Sequence, residues 1–120
     1  MHDIDVLIVE NESLVALALR LDLEGHGYHV CGVAISADEA VTLAEQERPT
    51  VVLMDISLYG DTDGIGAAKE IGARFGIPII YMTGYDDPNV RQQAEATEPL
   101  GYLVKPVNFR KVQDILERAI

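Results

Sequence analysis

Five short apolar runs alternate along this chain with five stretches whose apolar residues recur at helical spacing. A short continuous apolar run is typical of a strand that is buried on both faces, and strands that alternate with helices form parallel sheets. The predicted strands are Val6–Val9, His29–Ala34, Val51–Asp55, Pro78–Met82 and Tyr102–Val104. The alternation therefore predicts an α/β domain in which a five-stranded parallel sheet has helices on both faces.

Four of the five predicted helices begin near a start signal, which is a capping residue or, for the fourth helix, Pro88. Four of the five carry one apolar face that we expect to pack on the sheet. The helical faces are Leu14, Leu17, Ala18 and Leu21; then Ala37, Ala40, Val41 and Ala44; then Ile65, Ala68 and Ile71 within Gly64–Phe75; and last Val112, Ile115, Leu116 and Ala119. The fourth helix is short and runs from Pro88 to about Thr97. We predict N-caps at Ser13, Ser36 and Asn108.

Length and charge limit the function classes. The chain has 120 residues, which suits one domain over residues 1–120, and 20 acidic against 9 basic residues give a formal charge of −11. Such a charge argues against direct binding to nucleic acid or to an anionic membrane. The single cysteine, Cys31, the lack of a signal-peptide pattern and the lack of an apolar run near the ~20 residues of a membrane helix favour the cytoplasm.

Polar residues stand where four of the predicted strands end. They are Glu10–Asn11, Asp55, Thr83 and Lys105. The carboxyl ends of parallel strands meet at one edge of the sheet, where open α/β sheets bind ligands. Carboxylate and amide oxygens suit Mg²⁺, whereas a lysine and a hydroxyl suit a phosphoryl group. A carboxylate at the centre of such a site can itself act as a nucleophile and form an acyl phosphate.

Five motifs, in this order and at this spacing, resemble the receiver domain of two-component response regulators over essentially the whole chain. They are Leu7–Glu12 (LIVENE), Leu53–Asp55 (LMD), Asp63–Gly64 (DG), Met82–Gly84 (MTG) and Gly101–Pro106 (GYLVKP). The resemblance implies a CheY-like, flavodoxin-like fold, which is a doubly wound parallel sheet of strand order 2-1-3-4-5 flanked by five helices.

The resemblance also implies a phosphorylation site. Asp55 looks like the phosphoacceptor, which takes its phosphoryl group from a sensor histidine kinase, a phosphotransfer protein or a small phosphodonor. Glu10, Asn11, Asp55 and the backbone carbonyl of Ser57 look like the Mg²⁺ site. The chain would then be a signalling module whose only chemistry is its own phosphorylation and dephosphorylation.

Three further positions match the residues that respond to phosphorylation in this family. Thr83 looks like the switch hydroxyl, Lys105 like the lysine that pairs with the phosphoryl group, and Tyr102 like the aromatic ring that moves inward. The bond before Pro106 is a candidate for the cis form. The output face would comprise the fourth helix, fifth strand and fifth helix, including Val90, Tyr102 and Arg110, and would serve a downstream target, a fused output domain or a homodimer.

The chain departs from the family pattern in its metal site and in the loop after the phosphoacceptor. Asn11 stands where the family usually has an acid, so we expect weaker Mg²⁺ affinity. Tyr59 stands where many members have proline, and Gly60–Thr62 lengthens the loop. Ser57 and Tyr85 occupy positions that control access of water to the acyl phosphate, and a bulky Tyr85 is expected to slow hydrolysis.

Three other functional classes stay open from the sequence. A phosphorylation-independent pseudo-receiver is favoured by Asn11, whereas retention of Asp55, Thr83 and Lys105 argues against it. An aspartyl-phosphate hydrolase would need a second aspartate where Ser57 stands. A flavin mononucleotide binder would need a phosphate loop where the acidic Glu10–Glu12 segment stands.

Overall fold

The computed structural model describes residues 3–58 and 64–119. Strands and helices alternate along it as predicted. In chain order they are β1 (Asp5–Val9), α1 (Ser13–Gly25), β2 (His29–Ala34), α2 (Ala37–Glu47), β3 (Val51–Asp55), α3 (Gly64–Phe75), β4 (Ile79–Thr83), α4 (Pro88–Glu95), β5 (Gly101–Val104) and α5 (Phe109–Ala119). The prediction for α4 was two residues too long, and four of the ten strand limits differ by one residue from the prediction.

The five strands form one parallel sheet in the order β2-β1-β3-β4-β5, which confirms the fold class and the strand order. Val9 of β1 pairs with Met54 of β3, and Asp55 at the end of β3 pairs with Met82 of β4. Neighbouring strands therefore finish within about one residue of each other. This register brings the polar residues that follow them to one edge of the sheet.

Helices cover both faces of the sheet, and two apolar layers result. Side chains alternate along a strand, so Leu7 and Val9 of β1 enter one layer while Val6 and Ile8 enter the other. The first layer lies under α2, α3 and α4, and the second lies under α1 and α5. All five residues of β3 are buried, which explains the continuous apolar run in the sequence.

The predicted core face of α1 was wrong. Leu14, Leu17 and Leu21 are 80%, 51% and 61% exposed, and Ala18 between them is exposed as well. The residues that α1 buries are Ala16, Leu19 and Leu23. These also recur at helical spacing, so α1 has two apolar faces and periodicity alone does not choose between them. The packing of α1 against the sheet and α5 decided which face is buried.

The other helical faces agree with the prediction in their central residues. The buried members are Ala37, Ala40 and Ala44 in α2; Ile65, Ala68 and Ile71 in α3; and Val112 and Leu116 in α5. Val41 is partly buried against the first layer and Ile115 against the second, and Ala119 at the end of α5 is exposed. Within residues 3–58 and 64–119, no helix has both the length and the apolarity needed to cross a membrane.

Two of the three predicted N-caps are present. The Ser36 hydroxyl accepts a hydrogen bond from the Glu39 amide at 3.2 Å, and the Asn108 side chain accepts one from the Arg110 amide at 2.8 Å. Ser13 is instead the first residue of α1, with Glu12 at the cap position and no side-chain cap bond. A glycine closes α3, since Gly76 adopts φ 68°, which lies in the left-handed region.

Candidate functional site at the carboxyl edge of the sheet

Three strands deliver charged side chains to one point at the carboxyl edge. Glu10 follows β1, Asp55 ends β3 and Lys105 follows β5, and their side chains are 0%, 2% and 16% exposed. The Lys105 ammonium lies 2.8 and 3.0 Å from the two carboxylate oxygens of Glu10 and 3.1 Å from Oδ2 of Asp55. One ammonium therefore bridges two buried carboxylates. We call these three residues the buried triad.

Burial and mutual contact shift the ionisation of the triad. Burial raises the pKa of Glu10, and the neighbouring Asp55 raises it further, while the hydrogen bond from Lys105 acts in the opposite direction. Burial lowers the pKa of Lys105, but the hydrogen bonds and charges of Glu10 and Asp55 outweigh it, so the net shift is upward. The ammonium stays charged at neutral pH. Two carboxylates against one ammonium make the site favourable for a further cation.

Each oxygen of the Asp55 carboxylate accepts a hydrogen bond at the carboxyl edge of the sheet. Its Oδ1 accepts a hydrogen bond from the Ser57 amide at 3.0 Å, and its Oδ2 accepts the one from Lys105. The first residue of α3, Gly64, donates its amide to the Ile56 carbonyl at 2.9 Å. A Cβ atom at Gly64 would overlap the Asp55 carbonyl oxygen, so only glycine lets α3 start this close to the strand end.

Thr83 is buried at the same edge, but its hydroxyl points into the turn after β4. The hydroxyl donates to the Tyr85 carbonyl at 2.9 Å and accepts from the Tyr85 amide at 3.2 Å. The Thr83 carbonyl also accepts from the Lys105 amide at 2.7 Å, which ties β4 to the lysine. To reach a group bound to Asp55, the hydroxyl must leave its partners on Tyr85.

The predicted Mg²⁺ ligands supply a donor set that suits a hard cation. The carboxylates of Glu10 and Asp55 converge on a single cationic group, and the partly exposed Asn11 follows Glu10 directly. Ser57 is exposed beside Asp55. Within residues 3–58 and 64–119, no group of three or more His, Cys, Asp or Glu side chains is placed to hold a metal ion. Two carboxylates and one amide are oxygen donors of the kind that Mg²⁺ takes in proteins, so these residues would suit it as ligands.

One further predicted feature lies beside the triad, and several others lie outside the described residues. The Lys105–Pro106 peptide bond is cis. Asp63 of the DG motif, Tyr59 and the inserted Gly60–Thr62 segment lie outside the described residues.

Tyr102 belongs to a second charged cluster, which the sequence analysis did not identify. Its hydroxyl donates to Oδ1 of Asp86 at 3.4 Å, and the guanidinium of Arg91 lies 4.9 Å from the centre of its ring. Arg91 also contacts Oδ2 of Asp86 at 3.3 Å and Oε1 of Glu95 at 3.1 Å. The spacing of Arg91 and Glu95 was the available signal, because charges four residues apart meet on a helix.

The exposed leucines of α1 border this edge as well. We call Leu14, Leu17, Ala18 and Leu21 the α1 ridge. A groove of about 520 Å³ on one side is lined by Leu14, Val15, Ala18 and Leu19 together with Lys105, Pro106 and Val107. A groove of about 230 Å³ on the other side is lined by Ser13, Ala16, Leu17 and Arg20 together with Glu10, Val33 and Ile35. Each groove therefore shares a wall with one member of the buried triad.

A family match and the similar proteins of known sequence agree on one protein family. Residues 6–117 match the family described as the response regulator receiver domain. The regulator PhyR of Methylorubrum extorquens is 34% identical over 97% of this chain and 43% of its own length. The transcriptional regulatory protein PdtaR of Mycobacterium tuberculosis is 35% identical over 96% of this chain and 56% of its own. The chain thus spans about half the length of these curated relatives.

Solved structures of similar proteins share the whole fold. The signal receiver domain of a modulated diguanylate cyclase from Desulfovibrio desulfuricans G20 has a TM-score of 0.91 and 41% identity, with 98% of this chain and 93% of that one covered. A CheY-like receiver domain protein from Methanospirillum hungatei JF-1 has a TM-score of 0.85 and 27% identity, with 95% and 90% covered.

Proposed function

The chain belongs to the response regulator receiver domain family, and on that premise we propose that it is a phosphorylation-dependent signalling switch whose phosphoacceptor is Asp55. Receiver domains are signalling modules and not classical enzymes. The observation that carries the proposal is the buried triad, in which one ammonium bridges the carboxylates of Glu10 and Asp55. A site held in this way presents a nucleophilic carboxylate beside a fixed positive charge.

In the reaction, an Asp55 oxygen attacks the phosphorus of the donor. An O–P bond forms, and the P–N bond of a phosphohistidine, or the P–O bond of a small acyl phosphate, breaks. Lys105 transfers its hydrogen bonds from the carboxylates to the phosphoryl oxygens, where it offsets their charge. Glu10, Asn11, Asp55 and the Ser57 carbonyl would hold Mg²⁺, which neutralises phosphoryl charge when bound.

The switch follows from the resting position of Thr83. Its hydroxyl leaves the Tyr85 backbone and donates to the new phosphoryl group, and Tyr102 turns inward into the space released. The α4–β5–α5 face then changes its shape and charge for a downstream target, a fused output domain or a second copy of the chain. Such a switch is a local electrostatic event that biases a two-state element.

We place a protein phosphodonor, such as a sensor histidine kinase or a phosphotransfer protein, on the α1 ridge. Reacting atoms must come within about 3–3.5 Å, so the donor has to cover the surface around Asp55. The ridge is exposed and apolar, and its two grooves end at Glu10 and at Lys105. Exposed apolar patches of this kind mark protein interaction sites.

The central test measures the intact mass of the protein after incubation with acetyl phosphate, with and without Mg²⁺. We expect the wild type to gain one phosphoryl group only with Mg²⁺, and Asp55→Asn to gain none. Asp38→Asn, at an exposed aspartate on α2, is the matched control and should behave as the wild type. If the wild type gains nothing even from a phosphorylated histidine kinase, the pseudo-receiver alternative, which Asn11 favours, replaces this proposal.

The docking surface needs a test that separates donor binding from chemistry. Leu17→Ser should slow phosphoryl transfer from a phosphorylated histidine kinase about tenfold or more, because it removes an apolar contact from the interface. The same variant should react with acetyl phosphate at the wild-type rate. Val104→Ser, an exposed apolar residue of β5, is the control for surface polarity. Equal slowing with both donors would place the defect in the site instead.

A further inference from the structure

The larger of the two grooves beside the α1 ridge, of about 520 Å³, has an acidic residue toward each end. Between them its lining is mainly apolar and includes Val15, Leu19 and Val107. Glu12 and Asp22 line the same groove, and both residues are exposed. Ten residues of α1 separate them, which corresponds to about 15 Å along the helix axis. The groove therefore combines an apolar lining with two carboxylates at a defined spacing.

Neither of these carboxylates is neutralised within the described part of the chain. The ion pairs found there involve neither Glu12 nor Asp22. Lys105 also lines the groove, but its ammonium is bound by the other two members of the buried triad at 2.8 to 3.1 Å. The groove therefore offers two negative charges to a partner, and two positive charges at the same spacing would complement them.

The smaller groove, on the other side of the ridge, differs in the charge that lines it. Its exposed charged residue is Arg20, whose Nε lies 3.4 Å from Oε2 of Glu24. A basic side chain that entered the smaller groove would meet this guanidinium. The two grooves therefore select opposite charges, and a helix with basic ends fits the larger one.

We propose that the larger groove docks an amphipathic helix of the phosphodonor protein, and that Glu12 and Asp22 select a helix with a basic residue at each end of its apolar stripe. The inference rests on the proposed function for the identity of the partner, whereas the groove and its charges do not depend on phosphorylation. Glu12 and Asp22 are thus specificity-determining residues that lie apart from the buried triad.

The spacing of the two carboxylates defines the sequence pattern of the partner helix. Positions i, i+4, i+7 and i+11 of a helix share one face, and i and i+11 lie about 16 Å apart along the axis. Lysine or arginine at i and i+11 would therefore face the two carboxylates. Apolar residues at i+4 and i+7 would enter the groove between them, as amphipathic helices do in apolar grooves.

Charge argues against other occupants of the larger groove. A second copy of this chain that packed through the same ridge would bring its own Glu12 and Asp22 to a surface of the same sign. Nucleic acid and anionic lipid also carry that sign, and the formal charge of the chain is −11. A basic helix is the partner that both the shape and the charge of the groove favour.

The two carboxylates should set selectivity, while the apolar contacts supply most of the affinity. One exposed ion pair changes an equilibrium by up to about fivefold, so two such pairs together change binding by about tenfold. Reversing the charge of the partner should have at least this effect, because like charges would then face each other. Both effects should decrease at high salt.

The experiment uses two synthetic helices of about four turns, each held by a lactam bridge and carrying the same apolar stripe. One helix has lysine at i and i+11, and the other has glutamate there. Methyl NMR of the full chain follows binding without Mg²⁺ or a phosphodonor. The lysine helix should shift the signals of Val15, Leu19 and Val107, and leave those of Val33 and Ile35 in the smaller groove unchanged. The glutamate helix should bind about tenfold or more weakly.

A double variant tests the two carboxylates. Glu12→Gln with Asp22→Asn should weaken binding of the lysine helix about tenfold. Asp38→Asn with Glu47→Gln removes the same charges from exposed positions on α2 and is the matched control. An equal loss in the control, or equal affinity of the wild type for both helices, would overturn the role of the carboxylates. Shifts confined to Val33 would overturn the choice of groove.

The identity of the partner is tested on the wild type. At about 90% occupancy, the lysine helix should slow transfer from a phosphorylated histidine kinase about tenfold, and leave labelling by acetyl phosphate with Mg²⁺ unchanged. Binding in the groove without slowing of the kinase reaction, or equal slowing with both donors, would overturn the assignment to the phosphodonor. A wild type that accepts no phosphoryl group refutes the proposed function, and the methyl shifts still decide whether the groove takes a basic-ended helix.

Discussion

The buried triad and the exposed cluster of Asp86, Arg91, Glu95 and Tyr102 share one arrangement of charges but differ in their exposure to water. In each, two carboxylates share one cation: Glu10 and Asp55 share Lys105, whereas Asp86 and Glu95 share Arg91. The side chains of Arg91, Asp86 and Glu95 are 46%, 41% and 57% exposed, while those of the triad are nearly removed from water. The comparison therefore separates the effect of burial from the effect of charge pairing.

Burial decides what each cluster can do. Charges that are removed from water interact strongly, and losing one partner leaves the others uncompensated. Pairs on the surface are screened by solvent and are worth about 0–1 kcal/mol. The triad accordingly fixes the geometry of the site, and the exposed cluster can rearrange at small cost.

Lys105→Met should lower the free energy of unfolding at pH 7 by about 2–4 kcal/mol, because Glu10 and Asp55 would face each other without a cation. Urea denaturation measures this loss, and Lys111→Met, at an exposed lysine of α5, is the control. Excess Mg²⁺ should restore part of the stability, since it replaces the missing charge. A loss no larger than that of the control would show that the triad is not effectively buried.

The contribution of Lys105 should also have a definite pH window. The pKa of Lys105 in the folded state is raised above 10.5, so its stabilising effect is complete below pH 10.5 and is lost as the pH rises through the folded value. Above neutral pH, the difference in stability between wild type and Lys105→Met should therefore stay constant until it shrinks in strongly alkaline solution. In acid the difference should shrink as well, because a protonated Glu10 no longer needs the ammonium. A difference that disappears near pH 8 would contradict the raised pKa.

Asn11→Asp should increase Mg²⁺ affinity about tenfold, because it adds a third carboxylate beside Glu10. Calorimetric titration with MgCl₂ measures the affinity directly. Asn89→Asp adds the same charge on the exposed side of α4 and should leave the affinity unchanged. If Asn11→Asp binds Mg²⁺ no more tightly than the wild type, the amide at this position is not the cause of weak binding.

Asp55→Asn should stabilise the fold by about 1 kcal/mol, because it removes a like charge from Glu10 while Lys105 keeps its stronger partner. The pKa of Glu10 should fall toward its ordinary value, which an NMR titration would show. Asp86→Asn makes the same substitution in the exposed cluster. A greater gain from Asp86→Asn than from Asp55→Asn would reverse the contrast between the two clusters.

Arg91→Met should leave the urea midpoint of unfolding within experimental error of the wild type, because exposed pairs contribute little to global stability. Urea denaturation beside Lys105→Met provides the direct comparison. A fall in the midpoint as large as that of Lys105→Met would mean that the exposed cluster is a structural element comparable to the triad.

The amino-acid sequence by itself determined the order of the elements, the sheet and its active edge. Continuous apolar runs such as Val51–Asp55 only suit strands covered on both faces, and the connections between parallel strands place all carboxyl ends together. That is why Glu10, Asp55 and Lys105, far apart in the chain, were expected at one point. Local signals of this kind act within a few residues, so they can be recognised in the sequence.

Tertiary structure alone decided which side of α1 is buried and which residues meet Tyr102. Both apolar faces of α1 satisfy helical periodicity, and only contact with the sheet selected Leu19 and Leu23 over the α1 ridge. Asp86 and Arg91 reach Tyr102 because β4 and β5 are neighbours and the loop between β4 and α4 turns back over β5. Such choices depend on distances between elements, which no local pattern in the chain records.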